Sequence, residues 1–124
     1  MSDMRNILVE GAARLFDSLA SREAHLLAEE SALDRNIWQA VERDGYAAAS
    51  RSEARGGDGA DLGDALAIAR EAGRHALPAP LVESLVAELA LAAGGLAPRS
   101  GILTVGPVVD GAAPVLERAR SPQR

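Results

Sequence analysis

Apolar residues recur at three- and four-residue steps from Met4 to Leu19, through Ile7, Leu8, Ala12, Leu15, Phe16 and Leu19, with Glu10, Arg14 and Asp17 between them. That spacing lays one apolar stripe along a helix. Ser21–Ser31 is polar and reads as a loop or short turn. Leu33, Ile37, Trp38 and Val41 then mark a second helix, ending at Gly45, a residue suited to the left-handed C′ position. The period fails from Tyr46 to Ala60, and Ser50 through Gly59 is loop chemistry with three glycines. Asp61 can cap a third helix through its side-chain oxygen; the buried face of that helix is expected at Leu62, Ala65, Leu66, Ala69, Ala72 and Gly73. Pro78 and Pro80 close it and open a fourth, apolar at Leu81, Val82, Leu85, Val86, Leu89 and Ala92 and ended by Gly94 and Gly95. Beyond Pro98 the pattern becomes β-prone, Ile102-Leu103-Thr104-Val105 and Val108-Val109 split by Gly106-Pro107. A short polar stretch with Arg118, Arg120 and Arg124 follows. The expectation is an all-α, up-and-down four-helix domain over residues 1–98 and an extended, frayed tail over 99–124, whose two short strands lack the partners a sheet needs.

Composition changes this picture in one respect. With 48% hydrophobic residues but a single Phe, a single Trp and a single Tyr, the core of this 124-residue chain must be built from Leu, Val, Ile and much Ala, which favours closely approaching helices. A formal net charge of -5 argues against attachment to nucleic acid or an anionic membrane, since both call for a cationic patch. The sequence contains no Lys, so Schiff-base chemistry is excluded and every cation is the planar fork of Arg. The absence of Cys removes disulfides, thiolate nucleophiles and Cys-based zinc sites. Met1 to Asn6 leads into a helix interrupted by Glu10 and Arg14 rather than an unbroken apolar stretch, and no apolar run reaches transmembrane length, so the expected location is the cytoplasm.

Few residues suggest chemistry. His25, in the polar interval, and His75, in the last turn of the third helix, are the only imidazoles; neither has metal-ligand spacing, and surface and helix-end roles explain both. The Gly56-Gly57-Asp58-Gly59 loop has the glycines of a phosphate cradle without the preceding strand, so a hinge between helices is the better reading. Glu29, Glu30 and Glu53 read as solvated surface.

Several local strings, in order, resemble the N-terminal helical domain of the acyl-CoA dehydrogenase family. The longest is Gly56 to Pro80, GGDGADLGDALAIAREAGRHALPAP, which is similar to that family's glycine-rich loop, the helix after it and its Glu-x-Gly-Arg-x-x-x-Pro exit, with Glu71, Gly73, Arg74, Pro78 and Pro80 at the matching places. Ile37-Trp38-Gln39-Ala40-Val41 with Asp44-Gly45-Tyr46 resembles an upstream helix end, and Leu91 to Gly95 the end of the next long helix. One departure is Ser52-Glu53-Ala54-Arg55 ahead of the paired glycines, where the family carries a proline-glutamate turn.

The resemblance implies FAD-dependent α,β-dehydrogenation of an acyl-CoA thioester, in which a carboxylate removes the α-proton and the flavin accepts the β-hydride. It also implies that a β-rich middle domain, which holds the flavin, and a C-terminal bundle, which carries the catalytic carboxylate, lie outside these 124 residues. The chain is then expected to be inactive alone and not to hold FAD by itself. Leu81, Val82 and Leu85, at the start of the fourth helix, are the residues that the resemblance places against the acyl chain; core packing is the competing account of all three. Two other readings stay open: a noncatalytic subunit that completes a partner flavoprotein, and a helical interaction module. The wide apolar arc of the fourth helix predicts self-association or a held partner.

Overall fold

A computed structural model describes residues 3–30 and 33–111 of the chain. Among them are five α-helices: α1 (Asp3–Leu19), α2 (Arg22–Glu30), α3 (Arg35–Arg43), α4 (Leu62–Arg74) and α5 (Leu81–Ala93), with single 3₁₀ turns at Tyr46–Ala48 and Glu53–Arg55 between α3 and α4. The fold is all-α, as the periodicity predicts, with one more helix than the four expected. The addition is α2, in the interval read as loop. It buries no residue fully, so it has no apolar stripe to announce it. Its support is local: Glu, Ala, Leu and Arg are good helix formers, and the Ser21 hydroxyl accepts the Ala24 N–H at 3.1 Å.

The helix ends follow their sequence signals. Asp61 caps α4 by accepting the Asp64 N–H at 2.8 Å, while the Asp64 side chain accepts the Asp61 N–H at 3.1 Å, completing a capping box. Gly45 closes α3 at φ 87. At the end of α5, Gly95 takes φ 69 and Leu96 N–H bonds back to the Leu91 carbonyl at 2.8 Å, a Schellman closure. Helix α4 ends with the same six-to-one bond, from Leu77 to Ala72, but the left-handed position is held by Ala76 at φ 47.

Phe16 and Ala12 from α1, Trp38 and Val41 from α3, Ile68 and Ala72 from α4, and Leu81 and Leu85 from α5 meet in one core, joined by Ala47, Ala49 and Ala60 of the connecting loop. The Phe16 and Tyr46 rings meet edge to face with centroids 5.6 Å apart. The loop is seated closely: a Cβ on Gly57 would collide with the carbonyl oxygens of Ala48 and Arg51.

Helices α4 and α5 are turned about their axes from the expected faces. Leu62 and Leu66 are exposed, whereas Asp64, Ile68 and Glu71 are buried with Ala65 and Ala72. On α5, Ser84 and Glu88 are buried with Leu81, Leu85 and Ala87, and Val82 and Val86 face out. Carboxylates turn inward because each meets an Arg: Arg5 Nε donates to Asp64 at 2.7 Å, Arg74 reaches Glu71 at 3.2 Å, and Arg51 grips both oxygens of Glu88.

The β-prone segment forms no strand among the described residues, yet its first part is not free. Ile102 packs against the core, and the backbone of residues 96–103 accepts hydrogen bonds from the side chains of Arg51, Arg55 and Ser84 and donates one, from Gly101, to Glu42. Arg118, Arg120 and Arg124, read as frayed, lie outside the described residues.

Candidate functional site

The two most site-like features are a face and a cleft. The face belongs to α5. Its outward positions are Val82 (43% exposed), Val86 (47% exposed), Ala90 and Ala93, with Leu89 half-buried beside them. None carries a charge or a hydrogen-bonding side chain; of the polar residues of α5, Ser84 and Glu88 point into the protein and Glu83 is half-buried. An exposed uncharged helix face of this kind is characteristic of an interaction surface. Of the three residues named as an acyl-chain wall, Leu81 and Leu85 sit in the core and Val82 lies on the open face. Val86, Ala90 and Ala93 complete that face. These residues belong to the wide apolar arc that the sequence predicts for this helix; its orientation decides which part of the arc faces out.

The cleft is an open depression of about 630 Å³ lined by Met4, Ile7 and Leu8 of α1 and by Glu53, Gly57 and Asp58 of the loop. One wall is apolar and the rim is acidic. It does not suit a flavin dinucleotide, whose pyrophosphate needs cations or a fan of N–H groups where Glu53 and Asp58 place carboxylates.

The buried ion pairs are structural in placement. Arg5 spans α1 and α4, its Nε on Asp64 and its Nη2 3.3 Å from Asp61. The hydrogen bond from Arg5, helped by the Asp61 N–H and the Arg5 charge, holds the Asp64 carboxyl below the usual carboxylate range against the opposing effect of desolvation. A depressed carboxyl stabilises the fold at full strength above the ordinary carboxylate pKa and loses that contribution as pH falls through the folded value. Arg5→Ala is therefore expected to be less stable than the parent at pH 7, with the gap closing as pH is carried below the ordinary carboxylate range. Urea melts of both proteins along that descent measure it, and a gap that stays constant contradicts the assignment.

The imidazoles stand apart. His25 lies on α2, not in a loop, and its Nε2 is 2.9 Å from the Ala76 carbonyl, tying α2 to the end of α4 with the proton on Nε2. His75 is the C-cap residue of α4, with Nε2 3.7 Å from Glu71 and Nδ1 3.8 Å from Asp17. Glu71 Oε2 is buried without a hydrogen bond. Burial pushes the Tyr46 phenol up, with a further push from Asp44. Among the described residues no group of three or more His, Asp or Glu could hold a metal ion, and no helix is long and apolar enough to cross a membrane.

The described residues thus form an all-helical unit whose outer α5 face carries Val82, Val86, Ala90 and Ala93. Comparison with known proteins gives it a family. The chain is 40% identical over 98 residues to Acyl-CoA dehydrogenase IpdE2 of Mycolicibacterium smegmatis, an alignment covering 77% of this chain and 32% of that protein. It is 38% identical over 68 residues to the protein of the same name from Mycobacterium tuberculosis, covering 54% of this chain and 21% of that one. No family model matches, and no solved structure matches significantly. The chain is thus related to the acyl-CoA dehydrogenase family, and its match spans about a third of the length of the first of these relatives.

Proposed function

We propose that this chain is the N-terminal helical domain of an acyl-CoA dehydrogenase and that it contributes one apolar wall rather than the chemistry. The observation that carries this reading is the outward face of α5: Val82, Val86, Ala90 and Ala93 form an uncharged surface on a chain whose relative is three times the aligned length. In this reading Val82 stands against the acyl chain of an acyl-CoA, and Leu81 and Leu85 set its position from the core behind it. Residues 1–98 hold the five described helices of the domain, and the chain beyond them leads towards a β-rich region. FAD belongs to that remainder: the cleft on this chain has the wrong charge for it, and no described carboxylate combines burial, freedom from an ion pair and access to a cleft. The purified chain is accordingly inactive towards acyl-CoA even with added FAD, and the cytoplasm is its place of work.

The face makes a second demand. Left open, it pairs with another copy or with a companion flavoprotein chain, which is the form the noncatalytic-subunit reading takes here. Sedimentation velocity over a concentration series is expected to show association that Val86→Asp abolishes, because the Asp would be desolvated in the contact. A parent chain that stays monomeric at high micromolar concentration and binds no apolar dye would overturn the claim that this face awaits a cover.

A further inference from the structure

Residues 96–103 run back along α5 from its C-terminal end to its first turn, and their backbone is held by four side chains, two from the connection between α3 and α4, one from α3 and one from α5. Arg55 Nη2 donates to the Leu96 carbonyl at 2.6 Å, and Arg51 Nη2 donates to the Arg99 carbonyl at 2.6 Å. Glu42, on α3, accepts the Gly101 N–H at 3.0 Å. The Ser84 hydroxyl, on α5, donates to the Leu103 carbonyl at 3.0 Å and lies 3.4 Å from its N–H. Side chains here do what a neighbouring strand does in a sheet: they satisfy an extended backbone, nearly regardless of the side chains that backbone carries.

We propose that Glu42, Arg51, Arg55 and Ser84 are positioning residues that make this segment a strap belonging to the helical unit, so that the chain leaves the unit at Thr104, beside the first turn of α5, and not at Pro98. The strap does two things. It covers the polar flank of α5, since Arg51 holds the Arg99 carbonyl and the buried Glu88 with one guanidinium. It also fixes the starting point of Thr104–Val109, whose Val105, Val108 and Val109 are exposed, relative to the open face of the same helix. The orientation of whatever follows is then set by the helical unit and not by a loose linker. This meaning for the following region rests on the domain reading above; the strap itself does not.

Site-resolved hydrogen exchange on the full chain tests the strap without any enzyme assay. The amides of Gly101 and Leu103 are expected to exchange as slowly as core amides of α4 and α5, while those of Val105 and Val108 exchange freely. Glu42 is exposed, so Glu42→Ala leaves the fold intact; it is expected to speed exchange at Gly101 roughly tenfold with the α5 core unchanged, and Glu42→Gln, which keeps an acceptor, restores much of the protection. Ser84→Ala acts likewise at Leu103, with Ser84→Thr as its rescue. Free exchange at Gly101 and Leu103 in the parent chain overturns the proposal whether or not the Ser84 variant folds. So does a Glu42→Ala variant whose Gly101 amide stays as protected as before. Either result would leave the family assignment and the α5 face untouched.

Discussion

Replacing Arg51 by Met is expected to lower stability by about 3 kcal/mol or more, because it strands the Glu88 carboxylate, 2% exposed, without its cation and also releases the Arg99 carbonyl. For a domain of this size that corresponds to a fall in Tm on the order of 12 °C. The figure belongs to breaking the pair, not to the pair's net worth: two charges that attract in a poorly screened interior have first been taken out of water. The double variant Arg51→Met with Glu88→Leu is therefore expected to recover most of the loss, by exchanging the pair for apolar contacts of similar volume. Thermal melts of the two single variants and the double variant decide it. A single variant within 0.5 kcal/mol of the parent, or a double variant no better than the worse single one, contradicts the account of Glu88 as a buried charge neutralised by Arg51.

The second large effect is expected at Phe16. It is fully buried, it is the only Phe, and it joins α1 to the core while meeting Tyr46 edge to face. Phe16→Ala is expected to cost about 4 kcal/mol: the transfer free energy of the ring, the cavity left behind, and the lost aromatic contact. Apart from Trp38 and Tyr46 the surrounding core is Ala and branched aliphatic residues, so little side-chain volume is at hand to fill the gap. Ile7→Ala serves as the control on the same helix. Ile7 is 70% exposed and its change should stay within about 0.5 kcal/mol. Urea midpoints at constant m-value give both numbers. A loss at Ile7 comparable to that at Phe16 would show that the cleft wall of α1 is covered in solution.

The sequence carried the helix ends well and the helix rotations poorly, for a physical reason. Asp61, Gly45 and Gly95 act on backbone groups within four residues, so local chemistry announces them. Which face of α4 or α5 turns inward depends on partners far along the chain: Arg5 is 59 residues from Asp64 and Arg51 is 37 from Glu88. A period-based reading assigns acids to solvent, and here three of them are inside. Helix α2 was missed for the opposite reason, having good intrinsic propensity and no buried residue to mark it. At the candidate site, apolar positions at the start of α5 were legible, but only the rotation set by Glu88 and Ser84 separates Val82, on the surface, from Leu81 and Leu85 beneath it. The strap was invisible in advance because its own side chains do little of the holding; the Arg, Glu and Ser residues that hold it look like ordinary surface residues in the sequence.

The central claim is that this chain is an interchangeable helical wall of an acyl-CoA dehydrogenase. The direct test is a chimera in which its aligned 98 residues replace the matching region of the Mycolicibacterium smegmatis relative, assayed for flavin retention and acyl-CoA-dependent reduction of an electron acceptor beside the unaltered relative under the same conditions. The account predicts that the chimera keeps its flavin and dehydrogenates acyl-CoA, with Val82→Phe shifting the preferred acyl group. A folded, flavin-bearing chimera with no acyl-CoA-dependent reduction, where the unaltered relative is active, would contradict it.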